Sequence, residues 1–61
     1  MITIKKNPNF PKWFQVLVCG SLVDEVSGRA NALRIATRHA RRNEVRIIDF
    51  LGEMVDTKDK N

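Results

Sequence analysis

The sequence predicts an α+β domain in which one α-helix packs across one face of a three- to four-stranded antiparallel sheet, in the order ββαββ. Three observations carry this expectation. Trp13 to Cys19 and Leu22 to Val26 are short runs rich in aromatic and β-branched residues, the composition of half-buried strands. Arg29 to Arg42 separates small apolar from basic residues at helical spacing,. Glu44 to Leu51 then returns to strand composition, with Gly52 as a turn and Glu53 to Asp56 as a short last strand,.

Taken in order, Met1 to Lys5 alternates apolar and polar residues and has the pattern of a short strand. Asn7-Pro8-Asn9-Phe10-Pro11 must be irregular, because prolines remove backbone donors and restrict their predecessors,. Residues 1–11 are therefore expected as an N-terminal arm, and residues 57–61, being polar, as a frayed tail of the single domain 1–61. Gly20-Ser21, with glycine first, suggests a two-residue type II′ turn that pairs Val18 with Val23 and Leu17 with Asp24. Ser27 is placed as the helix N-cap and Asn43 as the left-handed residue that ends it. On a helical wheel Ala30, Leu33, Ala36, Thr37 and Ala40 share one face, and a face made mostly of alanine lets a helix approach a sheet closely,. The expected core is Phe14, Val16, Val18, Val23, Leu33, Ala36, Ala40 and hydrophobics of the third strand.

Charge is concentrated rather than spread. Five of the eleven Lys and Arg residues lie between Arg29 and Arg42, a segment without any acidic residue, and they account for more than the whole net charge of +4. Arg34, Arg38, Arg41 and Arg42 follow i, i+4, i+7 and i+8 spacing and form one cationic stripe,. Guanidinium groups fixed in such a row suit phosphates or carboxylates, so these four are the candidate binding residues, for an acidic protein or a nucleic acid. The competing explanation is that a surface helix needs a charged face for solubility and that arginine is a good helix former.

Both faces of the first hairpin are partly apolar, and one helix can cover only one of them. Leu17, Cys19 and Leu22, with Ile35 at the rim of the helix-covered surface, are the candidate interface residues. A chain this short buries only about 60% of the surface its unfolded form exposes, which points to a homodimer. Alternatively the N-terminal arm, with Phe10 and Trp13, wraps over that face in a monomer.

The inventory for catalysis is thin. One Cys, one His, no Tyr and seven scattered carboxylates offer no nucleophile, base and orienting group in company. Cys19 precedes a hairpin turn rather than a helix, His39 lies on the helix flank, and Asp24 and Glu25 are strand neighbours that point apart. A lone Cys forms no internal disulfide, and with one His it cannot complete a zinc site. No catalytic, cofactor-binding or metal-ligating residue is assigned, and neither an enzyme nor a small-molecule substrate is expected. The N-terminus lacks a signal-peptide run and no stretch approaches the roughly 20 apolar residues of a membrane span, so the expected location is the cytoplasm.

The pieces FQVLVCGSLVDEVSG, ANALRIATRHARRN and EVRIIDFLGEMVD together resemble a family of small uncharacterised bacterial and phage proteins with a strand-strand-helix-strand-strand plan, over residues 14–56. The resemblance implies a compact non-enzymatic domain and brings no active residues with it. Two functions are carried forward. The first is a non-enzymatic interaction module that offers the arginine face to an acidic protein or nucleic acid. The second, by analogy with small phage proteins that block a host machine, is an inhibitor acting through its apolar sheet face.

Overall fold

A computed structural model describes residues 1–57. The chain runs β1 (Ile2–Lys6), β2 (Trp13–Val18), β3 (Ser21–Ser27), α1 (Arg29–Arg42), β4 (Ile47–Phe50) and β5 (Glu53–Asp56). All strands belong to one five-stranded sheet of order β3-β2-β1-β4-β5. The α+β class and the single helix lying across the sheet agree with the sequence. The sheet itself corrects it: among the described residues there are five strands rather than three or four, and the arrangement is mixed, because β1 and β4 pair in parallel while the other neighbours are antiparallel.

The segment expected as an arm supplies the central strand. Ile2 pairs with Val18 on one side and Ile48 on the other, and Ile4 with Val16 and Phe50. Paired residues point to the same face, so these form two apolar rows under the helix. Ile2, Ile4, Val16, Ile48 and Phe50 are almost wholly shielded from solvent. The tail expected to fray lies, from residue 58 on, outside the described residues. Thr57 itself is tied to the Arg46 carbonyl by its N–H and its Oγ1, both at 2.8 Å.

The helix covers this surface with alanine. Ala32, Ala36 and Ala40, at i, i+4 and i+8, are fully buried, flanked by the partly buried Leu33 and Ile35. The expected inner face is thus turned by roughly 60° at 100° per residue, and Ala30 is exposed while Ala32 takes its place. The inner arc defined by Ala32, Ala36 and Ala40 also contains position 29, an arginine,. The structure accommodates Arg29 by stacking its guanidinium over the Phe50 ring at the open end of the helix.

Local geometry moves three boundaries. The first hairpin turns on Cys19 (φ 51°) and Gly20 (φ 84°), with Val18 paired to Ser21. Two positive φ values make a type I′ turn, whose twist matches the strands, one residue earlier than the expected Gly20-Ser21. Leu17 therefore pairs with Leu22, and a bulge between Val16 and Leu17 lets Val16 meet Asp24 and Phe14 meet Val26. Val23 is the extra residue, left exposed instead of entering the core,. The second hairpin repeats the device at Leu51 (φ 53°) and Gly52 (φ 93°).

At the helix start Gly28, not Ser27, is the N-cap, without a side-chain cap; Ser27 ends β3. At the other end Asn43 keeps φ −100° and Glu44 takes the left-handed position at φ 57°. Val45 N–H reaches the Ala40 carbonyl at 2.7 Å and Glu44 N–H the Arg41 carbonyl at 3.3 Å, the paired bonds of a Schellman motif. β4 consequently begins at Ile47 rather than at Glu44.

Candidate functional site

Burying Ala32, Ala36 and Ala40 fixes what the helix shows to solvent. Arg34, Arg38, Arg41 and Arg42 are all exposed, and the eight steps from Arg34 to Arg42 span about 12 Å of axis at 1.5 Å per residue. Among the described residues the ion pairs are Arg29 with Glu53 (3.8 Å) and Arg46 with Asp56 (3.3 Å); neither involves the stripe. Arg34 donates to Asn31 Oδ1 at 3.2 Å, a neutral contact that leaves its charge unbalanced. Four like charges within such a length repel one another, and the potential they raise falls when an anion binds.

The four are not equivalent. Arg34, Arg38 and Arg41 line a shallow trough with Ala30, Leu33 and Thr37. Thr37 Oγ1 is turned inward to the Leu33 carbonyl at 2.7 Å. Arg42 lies outside the trough, in the last turn, where its charge faces the negative end of the helix dipole.

The expected interface residues separate into three places. Leu17 and Leu22 are partners on the sheet face that the helix does not cover, in a row that continues through Thr3 and Asp49 to Met54,. Leu22 is 56% and Met54 61% exposed, so this face is open. Cys19 is exposed in the hairpin turn. Ile35 is on the helix, packed against the core, and so belongs to the opposite side from Leu17. Met54, together with Ile47 in β4, adds exposed apolar side chains to the same face, separated from Leu17 and Leu22 by Thr3 and Asp49; the pairing of β5 with β4 puts Met54 there.

Phe10 and Trp13 leave Leu22 and Met54 of the open face uncovered. Both are exposed, at 62% and 44%, Trp13 as the first residue of β2 and Phe10 on the loop before it, which Asn7 braces. Asn7 Oδ1 accepts from the N–H groups of Asn9 and Phe10, and its Nδ2 donates to Glu25 at 2.6 Å. Trp13 N–H closes the loop onto the Phe10 carbonyl at 2.9 Å.

The titratable residues do not converge elsewhere. His39 is on the helix flank, Cys19 is at the hairpin tip, and Asp24 and Glu25 pair with Val16 and Gln15 on opposite faces of β2. Among the described residues no group of three or more His, Cys, Asp or Glu side chains could hold a metal ion, and no helix is long and apolar enough to cross a membrane. Comparison with protein-family models, curated proteins and solved structures found no match to this chain. The site is therefore interpreted from its own residues.

Proposed function

We propose that this chain is a non-enzymatic interaction module that presents Arg34, Arg38, Arg41 and Arg42 to a polyanionic partner, a nucleic acid or an acidic protein. One observation carries the proposal: four exposed arginines share the outer face of a helix that has no acidic residue, and none of them is in an ion pair among the described residues. The test is the combined substitution R34Q/R38Q/R41Q. Exposed helix positions change stability by less than about 0.5 kcal/mol, so the folded state should persist while the salt needed to elute the protein from immobilised heparin falls sharply. Unchanged elution from a folded variant rejects the proposal.

The module is proposed to work as a homodimer, joined through the open sheet face around Leu17 and Leu22. Support comes from the small size of the chain and from Leu17 and Leu22, which the helix leaves uncovered,. Sedimentation of L17S/L22S against the parent protein tests it, since loss of association is expected and a parent that sediments as a monomer rejects it. The exposure of Leu22 and Met54 also favours the second reading, an inhibitor that grips a host protein through this face while the arginines only solvate the helix. Under that reading L17S/L22S removes activity and R34Q/R38Q/R41Q does not.

A further inference from the structure

The arginine face can be assigned a partner more closely than "polyanion", because the structure separates charge from apolar surface. From Phe10 and Trp13 to Leu22 and Met54, every exposed large hydrophobic among the described residues lies outside α1. The outer face of α1 offers Ala30, Thr37 and half-buried Leu33 between its arginines, and no aromatic anchor. A protein interface draws its affinity from a buried apolar centre with a few aromatic or arginine anchors filling pockets, and charge at its rim contributes little. The helix has the rim without the centre. Binding to nucleic-acid phosphates needs no such centre, since its affinity comes from neutralising charge and releasing counterions.

The same segregation distinguishes double from single strands. Proteins that hold single strands interleave basic groups with aromatic side chains on which bases stack. Here the exposed aromatics, Phe10 on the β1–β2 loop and Trp13 at the start of β2, stand apart from α1, and none accompanies the arginines. Trp13 neighbours Ser27 across the hairpin and points to the face away from the helix, since its neighbour Phe14 faces inward,. The stripe covers about 12 Å, and a duplex presents one phosphate per about 3.4 Å of axis on each strand. The stripe therefore carries about one positive charge for each phosphate charge that one strand presents over the same axial length.

We propose that the partner of the Arg34, Arg38, Arg41 and Arg42 face is the phosphate backbone of double-stranded nucleic acid, bound without sequence preference. This rests on the reading of the arginine face as a polyanion site, and the experiment separates the two. Binding of the full chain is measured by fluorescence anisotropy to two short DNA duplexes of unrelated sequence, to an RNA duplex, to one of the DNA single strands and to poly-glutamate, over a range of salt. The expected result is similar affinity for the two DNA duplexes and a log–log salt slope of about −3.6 for four contacts. Affinity then drops on the order of 100-fold between about 50 and 200 mM salt. In R34Q/R38Q/R41Q the slope should fall to about −0.9, one contact, with an unchanged circular dichroism spectrum. Tighter binding to the single strand, or to poly-glutamate, with the same dependence on the three arginines overturns the duplex assignment and leaves the polyanion reading standing. Binding to none of the probes at about 50 mM salt, or binding that the folded triple variant retains in full, overturns both. The RNA arm shows whether B-form or A-form backbone spacing is preferred.

Discussion

The guanidinium carbon of Arg29 sits 4.4 Å from the centroid of the Phe50 ring, which places a cation at the first residue of α1, against the positive end of the helix dipole. That position costs about 0.3–1 kcal/mol, while an exposed cation–π contact returns about 0.5–1 kcal/mol. The pairing of Arg29 with Glu53 joins groups that are both mostly exposed and contributes between nothing and about 1 kcal/mol. The terms nearly cancel. Arg29→Ala should therefore move the urea midpoint by an amount equivalent to less than about 0.5 kcal/mol. Phe50→Ala, which removes a buried ring that also meets Phe14 at 5.8 Å, should cost about 3–5 kcal/mol. A domain of this size rarely holds more than about 3–5 kcal/mol in all, so the Phe50 variant should be largely unfolded by circular dichroism. A folded Phe50→Ala protein would show that the core lies elsewhere.

Ala36 is the middle of the three alanines on which the helix rests, and it has no exposed surface. A larger side chain there has no free space to enter, and overpacking of this kind costs about 1–3 kcal/mol. Ala36→Leu should lower the denaturation midpoint by that amount although leucine is an excellent helix former. Ala30→Leu, on the exposed side of the same helix, should be nearly neutral. If the two substitutions behaved alike, the helix would not be seated on Ala32, Ala36 and Ala40.

Much of this architecture is legible locally. The helix, its basic stripe and the two hairpins follow from residue type and period, which depend on neighbours in the chain, and the sheet face carrying Leu17 and Leu22 follows from alternation along β2 and β3. What was not legible depends on distant partners. Ile2 and Ile4 have the alternation of a strand, but nothing near them says that Ile48 and Phe50 will pair alongside in parallel; two prolines in the following loop made the segment look detached. Val23 was misplaced because a single bulge reverses the facing of every residue on one side of it. Cys19 and Glu44 were missed as left-handed residues because both stand beside better formers of that conformation, Gly20 and Asn43. In the site itself, the arginines were visible from spacing alone, whereas the lack of a large exposed hydrophobic between them, where only Ala30, Thr37 and half-buried Leu33 lie, required knowing which face of α1 is buried.

The central position of β1 has a direct consequence. Removal of residues 1–6 would leave β2 and β4 without a partner between them and expose Val16, Val18, Ile48 and Phe50, so the truncated chain should not fold. Trp13 is the only tryptophan, and its emission in the truncated chain should match that of the urea-unfolded parent. A point substitution gives the graded version: Ile4→Ala should cost about 2–5 kcal/mol, and Lys5→Ala, on the exposed side of the same strand, less than about 0.5 kcal/mol. A dispensable residue 1–6 segment would mean that β1 is an arm after all.

Glu44 occupies the one position of the helix C-terminus where glycine is usual. Its φ of 57° is left-handed, a conformation that costs an ordinary L-residue roughly 1–2 kcal/mol, and its carboxylate lies just past the negative end of the helix dipole, which disfavours it further. The backbone accepts both because Val45 N–H and Glu44 N–H satisfy the Ala40 and Arg41 carbonyls and Val45 packs against the core. Glu44→Gly keeps those bonds and removes the strain and the misplaced charge, at the expense of some unfolded-chain entropy. The net effect should be a stabilisation of about 1 kcal/mol, seen as a rise in Tm of roughly 4–8 °C for a domain of this length. Glu44→Ala relieves the charge but not the backbone, and should recover only the smaller part of that gain. Equal stabilisation by alanine and glycine would assign the whole effect to electrostatics, and a loss of stability with glycine would show that Glu44 is held by a contact worth more than its strain.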